Sequence, residues 1–415
     1  MENDKKSPKG KVTKVVFIVL LFVITNVASF FAGGMLSFNK IMPWISSTQF
    51  AKEFSQIKDI GKYKELFAVR ETLIKRFDGD IDDSKLVEGA IKGMTAALDD
   101  KYTYYMNKDE YKQYKEEVDG SFVGIGIRIS TKNNKIYVAE PIKGSPAEKA
   151  GIKAGDYIIK VNGKEYSGEE KDKEKAISVM KGKPGEKVTL TIERNSKTFN
   201  IDVVRGQIIN PSVEGEMLNN NIGYISVSGF ELNTAKDFNA KLKELKLKGM
   251  KGLIMDLRDN GGGYLNVSVD LVSNFIQKDK LVVSTIDKYK NKQESFSKGG
   301  DAIGMPLVVL VNGNSASASE VVSGALRDYK AATFVGVKTF GKGIVQTTFE
   351  NKTNGSALKM TISKYYSPLG INIHKKGIQP DVTVEYPKEL IGKKYDRSKD
   401  PQFKKALELI EEKTK

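Results

Sequence analysis

The chain has 415 residues, 40% hydrophobic and 29% charged, a length that calls for more than one core and a balance typical of folded protein. It contains no cysteine and one histidine, His374, which excludes disulfides, a thiol nucleophile and a histidine-rich metal site. The formal charge is +15, yet only eight of the 67 basic residues are arginine, and the lysines are mostly interleaved with Glu and Asp. A nucleic-acid reader usually clusters arginine and aromatic residues on one face, so no nucleic-acid partner is expected. A basic surface could favour nearness to anionic lipid or wall polymer.

Residues 1–14 form a basic tail with five lysines, followed by Val15–Leu36, 22 residues without a charge. That length fits a membrane-spanning signal-anchor and exceeds the apolar core of a signal peptide. A cleaved signal peptide is the alternative. The lysines should stay in the cytoplasm, which places everything after residue 38 outside.

Apolar residues spaced three to four apart predict helices in "YKELFAVRETLIKRF" and "LVEGAIKGMTAAL", within a helical region over 48–118. "DDKYTYYM" reads as a loop and "DEYKQYKEEV" as a short helix. Residues 119–206 change character: "FVGIGIRI", "KIYVAEPI" and "DYIIKVNG" read as strands, "SPAEKAG" and "KAISVMKG" as helices. The pair "KVTLTIERN" and "KTFNIDVVR" reads as a closing hairpin. From residue 207 to 385 strands and helices alternate, with continuous apolar strands such as "MPLVVLVN", which predicts a partly parallel, covered sheet. Residues 386–415 end in an amphipathic helix. The fold class expected is multidomain α/β.

In "PLVVLVNGNSASASEVVSGAL" a buried strand ends, turns and feeds a helix, which sets Ser315, Ser317 and Ser319 at the carboxyl edge of the sheet. Open α/β sheets place their chemistry there, and the helix N-terminus aims free N–H groups at the same spot. Ser317 and Glu320 also have the spacing of a capping box, so a purely structural role is open. A base other than histidine is offered by "KTFGKGIVQTTF", where Gly341 and Gly343 flank Lys342 and Gln346 follows. G-K-G alone is equally a surface turn. To act near neutral pH the lysine would have to lose about 3 pKa units from roughly 10.4, which burial among Phe340, Ile344 and Val345 could supply. "DLRDNGGGYL" ends another buried strand; its glycines fit an oxyanion hole better than a phosphate cradle.

These three motifs resemble those of the carboxyl-terminal processing proteases, also called tail-specific proteases, over roughly residues 60–415. The resemblance implies a mixed-sheet serine protease core with an inserted PDZ domain and helical N- and C-terminal segments. It implies Ser317 as nucleophile, Lys342 as base, Gln346 as the group that orients the lysine, and N–H groups of Gly263 and Ala318 as the oxyanion hole. "FVGIGI…GSPAEKAGIKAGDYIIKVNG" has the look of the PDZ domain, whose cradle for a peptide carboxylate would be Phe122, Val123, Gly124, Ile125 and Gly126. No metal or other cofactor is implied. Protein substrates with unfolded C-termini are the expected partners, and a homodimer is possible, since relatives dimerise. Gly261 stands where the family commonly has proline, and "DDKY" replaces D-D-P-Y. His374 falls in the ending "GINIHKKGIQPD" as a bystander.

Overall fold

In this computed structural model residues 59–209, 211–393 and 395–415 are described. The apolar stretch 15–36 lies outside them. The chain divides into two compact units, 1–89 and 90–415. In the first, helix α1 (Lys64–Arg76) places Leu66, Phe67, Val69, Leu73 and Ile74 at the surface and buries none of its residues. Helix α2 (Asp83–Ala96) follows, and its first residue Asp83 accepts two hydrogen bonds from the Arg70 guanidinium.

The second unit opens with a short strand, β1 (Tyr104–Met106), inside the segment expected to be a loop. Helix α3 (Lys108–Asp119) follows, capped by Asn107 and closed by Gly120 with φ of 67°. The run expected as one strand, "FVGIGIRI", is two: β2 (Ser121–Gly124) and β3 (Ile127–Lys132). The break falls at Gly126, whose φ of 78° and contact with Ser145 leave no room for a side chain.

A small domain then forms from β4 (Lys135–Pro141), α4 (Pro146–Lys149), β5 (Tyr157–Val161), β6 (Lys164–Glu165), α5 (Glu170–Met180), β7 (Lys187–Arg194) and β8 (Lys197–Val204). Its sheet runs β3-β4-β5-β7-β8, so β3 is an edge. Ile136, Val138, Ile158, Val188, Leu190 and Ile192 are fully buried inside it, and the alternation of "KVTLTIER" accounts for their inward face. Strand β9 (Gly206–Ile209) leaves the domain beside β2, antiparallel, with Ser121 opposite Ile209.

The remainder is the core: β10 (Val213–Met217), β11 (Ile222–Val227), α6 (Thr234–Leu247), β12 (Gly252–Asp256), α7 (Leu265–Val272), β13 (Leu281–Asp287), β14 (Lys292–Phe296), β15 (Leu307–Val311), α8 (Ala318–Asp328), β16 (Thr333–Gly336), β17 (Ile344–Glu350), β18 (Ala357–Tyr366), β19 (Val382–Thr383) and α9 (Pro401–Thr414). One sheet has the order β10-β11-β12-β15-β16-β19, parallel from β11 onward. Successive residues of its strands face opposite layers. Leu253, Met255, Val309 and Val311 pack with Phe238, Leu242, Val272, Val322 and Ala325 of α6, α7 and α8. Ile254, Val308 and Leu310 pack with Phe403, Ala406 and Ile410 of α9. Both faces are therefore covered, which explains why "LVVLV" is apolar throughout.

A second sheet, β1-β18-β13-β14 with β17 also on β18, was not legible in the sequence. Its strands mix buried and exposed residues, and β18 alternates poorly, so no period-two signal stands out.

Candidate active site

The turn after β15 treats its three serines differently. Ser315 is fully buried; its hydroxyl accepts from the Asn312 N–H at 2.9 Å and donates to the Leu257 carbonyl at 2.7 Å. Ser319 is fully buried and donates to the Asn260 carbonyl at 2.9 Å. Both hold the turn against the end of β12. Ser317 is half-exposed, and its hydroxyl makes no cap hydrogen bond. Its φ of 56° and ψ of −113° put a non-glycine residue in a costly backbone region. Gly262, φ 108°, backs it so closely that an added Cβ would lie 2.8 Å from the Ser317 Cβ.

The acid of the expected capping box does more than cap. Glu320, almost fully buried, accepts from the Ser317 N–H at 3.0 Å. The same carboxylate accepts from the Lys342 N–H at 2.8 Å, the Gly341 N–H at 2.8 Å and the Thr339 hydroxyl at 2.6 Å. One buried anion thus fastens the serine turn to the lysine turn. The glycines beside Lys342 permit close approach of residues 374–377: a Cβ on Gly341 would lie 2.9 Å from the Gly377 nitrogen, and one on Gly343 2.6 Å from the His374 nitrogen.

Lys342 reaches a cavity of about 550 Å³ lined also by Ser317, Ala318, Gly263, Gln346 and Tyr365. Burial draws its pKa down to about 8, and the like charges of Lys359 and Lys101 push the same way, against Asp100 and Glu320. The desolvating wall differs from the expected one. Ile344 is buried, but Phe340 is half in solvent, and the group over the amine is Tyr102, with Nζ 4.6 Å from the ring centroid. Gln346 lines the cavity, yet its amide donates to the Ile344 carbonyl at 3.5 Å and not to the lysine. Tyr365 donates its hydroxyl to the Ser317 carbonyl at 3.0 Å. Helix α3 supplies another wall through Tyr111, Tyr114 and Val118. Among the described residues no group of His, Asp and Glu has the arrangement of a metal site.

Three regions match known families: residues 26–110 the N-terminal domain of the activating protease CtpB, 123–204 the PDZ domain, and 221–384 peptidase family S41. The chain is 40% identical over 329 residues to the carboxy-terminal processing protease CtpA of Bacillus subtilis, covering 79% of this chain and 70% of that one. It is 44% identical over 305 residues to a CtpA-like serine protease of Staphylococcus haemolyticus, covering 73% of this chain and 61% of that one. This chain is a carboxyl-terminal processing protease of family S41. The fold agrees with an S41 protease structure from Bacteroides fragilis, at 17% identity and a TM-score of 0.53, covering 82% of this chain and 93% of that one.

In this S41 protease the expected site residues fall in two places. Ser317, Ala318, Gly263, Lys342 and Gln346 share the cavity. Phe122–Gly126 lie at the start of the PDZ domain, where Phe122, Val123 and Gly124 are ladder partners of Ile208, Gln207 and Gly206. The carbonyls of Ile125 and Gly126 accept from the Ala147 and Ile142 N–H groups. Glu320, Gly262 and Tyr102 were missed as parts of the site. The Ser-x-x-Glu spacing signalled the first only as a cap, the glycine run marked the turn of Gly262 without its contact with Ser317, and nothing in a single sequence marks Tyr102.

Proposed function

We propose that the protein is a membrane-anchored serine endopeptidase that cleaves unstructured C-terminal regions of proteins outside the cytoplasmic membrane, through a Ser317–Lys342 dyad. The supporting observation is that Ser317, alone of the three serines, opens onto the cavity that Lys342 lines. Neutral Lys342 takes the Ser317 proton as Oγ bonds to the scissile carbonyl carbon, and the N–H groups of Gly263 and Ala318 receive the oxyanion. Collapse breaks the C–N bond, and the lysine returns the proton to the leaving amine. Water, deprotonated by the same lysine, then releases the acyl group from Ser317.

The PDZ domain would bind the substrate's C-terminus along the open edge of β3 and gate the site. Two contacts fit a gated resting arrangement: Lys342 lies against Tyr102, and Gln346 donates to a carbonyl of its own strand. The unburied apolar residues of α1 fit a homodimer. The decisive test is to express Ser317→Ala, Ser315→Ala and Ser319→Ala in cells. Ser317→Ala should lose all cleavage and retain uncleaved substrates, whereas the other two should cleave. An active Ser317→Ala enzyme would sink the dyad.

A further inference from the structure

The contact between Tyr102 and Lys342 is not used by the chemistry just described. At 4.6 Å from ring centroid to Nζ it lies inside the ~6 Å reach of cation–π attraction. The backbone that carries the ring is held on both sides. The Asp100 carboxylate accepts from the Tyr102 N–H at 3.0 Å and the Thr103 hydroxyl at 2.7 Å. Thr103 Oγ1 accepts from the Thr361 N–H at 3.1 Å, and β1 pairs with β18 immediately afterwards. Segment 100–106 is therefore fastened to the sheet that carries Lys359.

The charged groups around the lysine leave the ring as its counterpart. Lys101 Nζ shares the Tyr102 ring, 5.1 Å away, and Lys359 rests on Tyr114 at 4.6 Å. Of the carboxylates that act on Lys342, Asp100 is engaged by the turn it caps and Glu320 by four donors. The Lys342 amine donates to no acceptor among the described residues.

We propose that Tyr102 is the resting seat of the Lys342 ammonium, holding the protonated side chain on its ring face and releasing the neutral amine toward Ser317. The electrostatic attraction belongs to the cation; an uncharged amine has little of it. The ring is thus a positioning residue that ties where the side chain sits to whether it carries a proton. This inference deepens the dyad and rests on reading Lys342 as the base.

The experiment separates the two ideas. Limited acylation of the full-length protein from pH 5 to 11, followed by mass spectrometry of the Lys342 peptide, gives the amine's titration midpoint without using activity. Cleavage of an unfolded peptide gives the acid limb of kcat/KM in parallel. Tyr102→Phe keeps a ring face and should hold the midpoint near the wild-type value. Tyr102→Leu should lower it by about 0.7 pH unit, the equivalent of ~1 kcal/mol of cation–π attraction, and the acid limb should move with it. Pentafluorophenylalanine at 102, similar in shape with a reversed ring face, should shift the midpoint the same way even if the leucine variant folds poorly. An unchanged or raised midpoint in both ring-deficient variants overturns the seat. A lowered midpoint with an unmoved acid limb supports the seat and removes Lys342 as the base.

Discussion

Glu320 is the side chain that the serine turn and the lysine turn have in common, and its four hydrogen bonds decide how much freedom either turn has. Glu320→Gln replaces one acceptor oxygen by an N–H₂ group facing existing donors. At least one buried donor is then stranded, at a cost of about 1–3 kcal/mol. Because both turns depend on it, kcat should fall by about two orders of magnitude while peptide binding by the isolated PDZ contacts is kept. Steady-state kinetics beside a binding titration would check this, and unimpaired kcat would count against the shared anchor. Lys342 is governed by protonation. With its pKa at about 8, the neutral base grows as pH rises, so activity should climb from pH 6 to 9 about tenfold per unit at the acid end. Lys342→Arg, whose guanidinium stays charged, should be inactive throughout; an active arginine variant or a flat single-turnover profile would argue against a lysine base. Stability moves with pH in the same direction as activity. A lysine depressed when folded is penalised most where both states are protonated, below about pH 8. The penalty fades as pH rises through the folded pKa toward the ordinary value.

At the scale of elements, helix α9 is fastened to the end of β12 by one ionic knot. Arg258 donates to Asp400 at 2.6 Å, to Gln402 at 3.0 Å and to Asp256 at 2.7 Å, and Asp400 also caps α9 through the Gln402 and Phe403 N–H groups. Two residues beyond Arg258, the Asn260 carbonyl accepts from the Ala316 N–H and the Ser319 hydroxyl. Asp400→Ala should therefore cost about 3 kcal/mol, the lower range for breaking a buried pair, since Asp256 remains; denaturant unfolding would measure it. A cost below ~1 kcal/mol would mean the knot is not structural. The legibility of the fold follows the same physics. Strands buried on both faces and amphipathic helices announced themselves by composition and period, and so did the serine, lysine and glycine turns. The sheet of β13, β14, β17 and β18 did not, because its strands mix buried and exposed residues without a clean alternation, even though β13–β14 and β17–β18 are neighbours in the chain. Tyr102 was invisible for another reason: its importance lies in a neighbour 240 positions away in the chain.

For the whole molecule, the charge-free stretch 15–36 predicts that full-length protein sediments with membranes and resists release by high salt, whereas a chain beginning at residue 45 is soluble and cleaves an unfolded peptide. Release of the full-length form by salt alone would indicate surface attachment instead. The ribbon of β2 and β9 carries a different consequence. Ser121 faces Ile209 and Gly124 faces Gly206 across it, so the chain departs for the PDZ domain and returns at neighbouring points, like the two ends of a drawer on one rail. A gene that lost the intervening codons and gained a short turn would still encode a continuous protease backbone, because closing so narrow a gap costs little chain entropy. Such a spliced protein should fold, melt as one cooperative unit, and hydrolyse peptides without distinguishing a free C-terminus from an amidated one. Failure to fold would show that the PDZ domain is a structural organ of the protease and not a detachable reader.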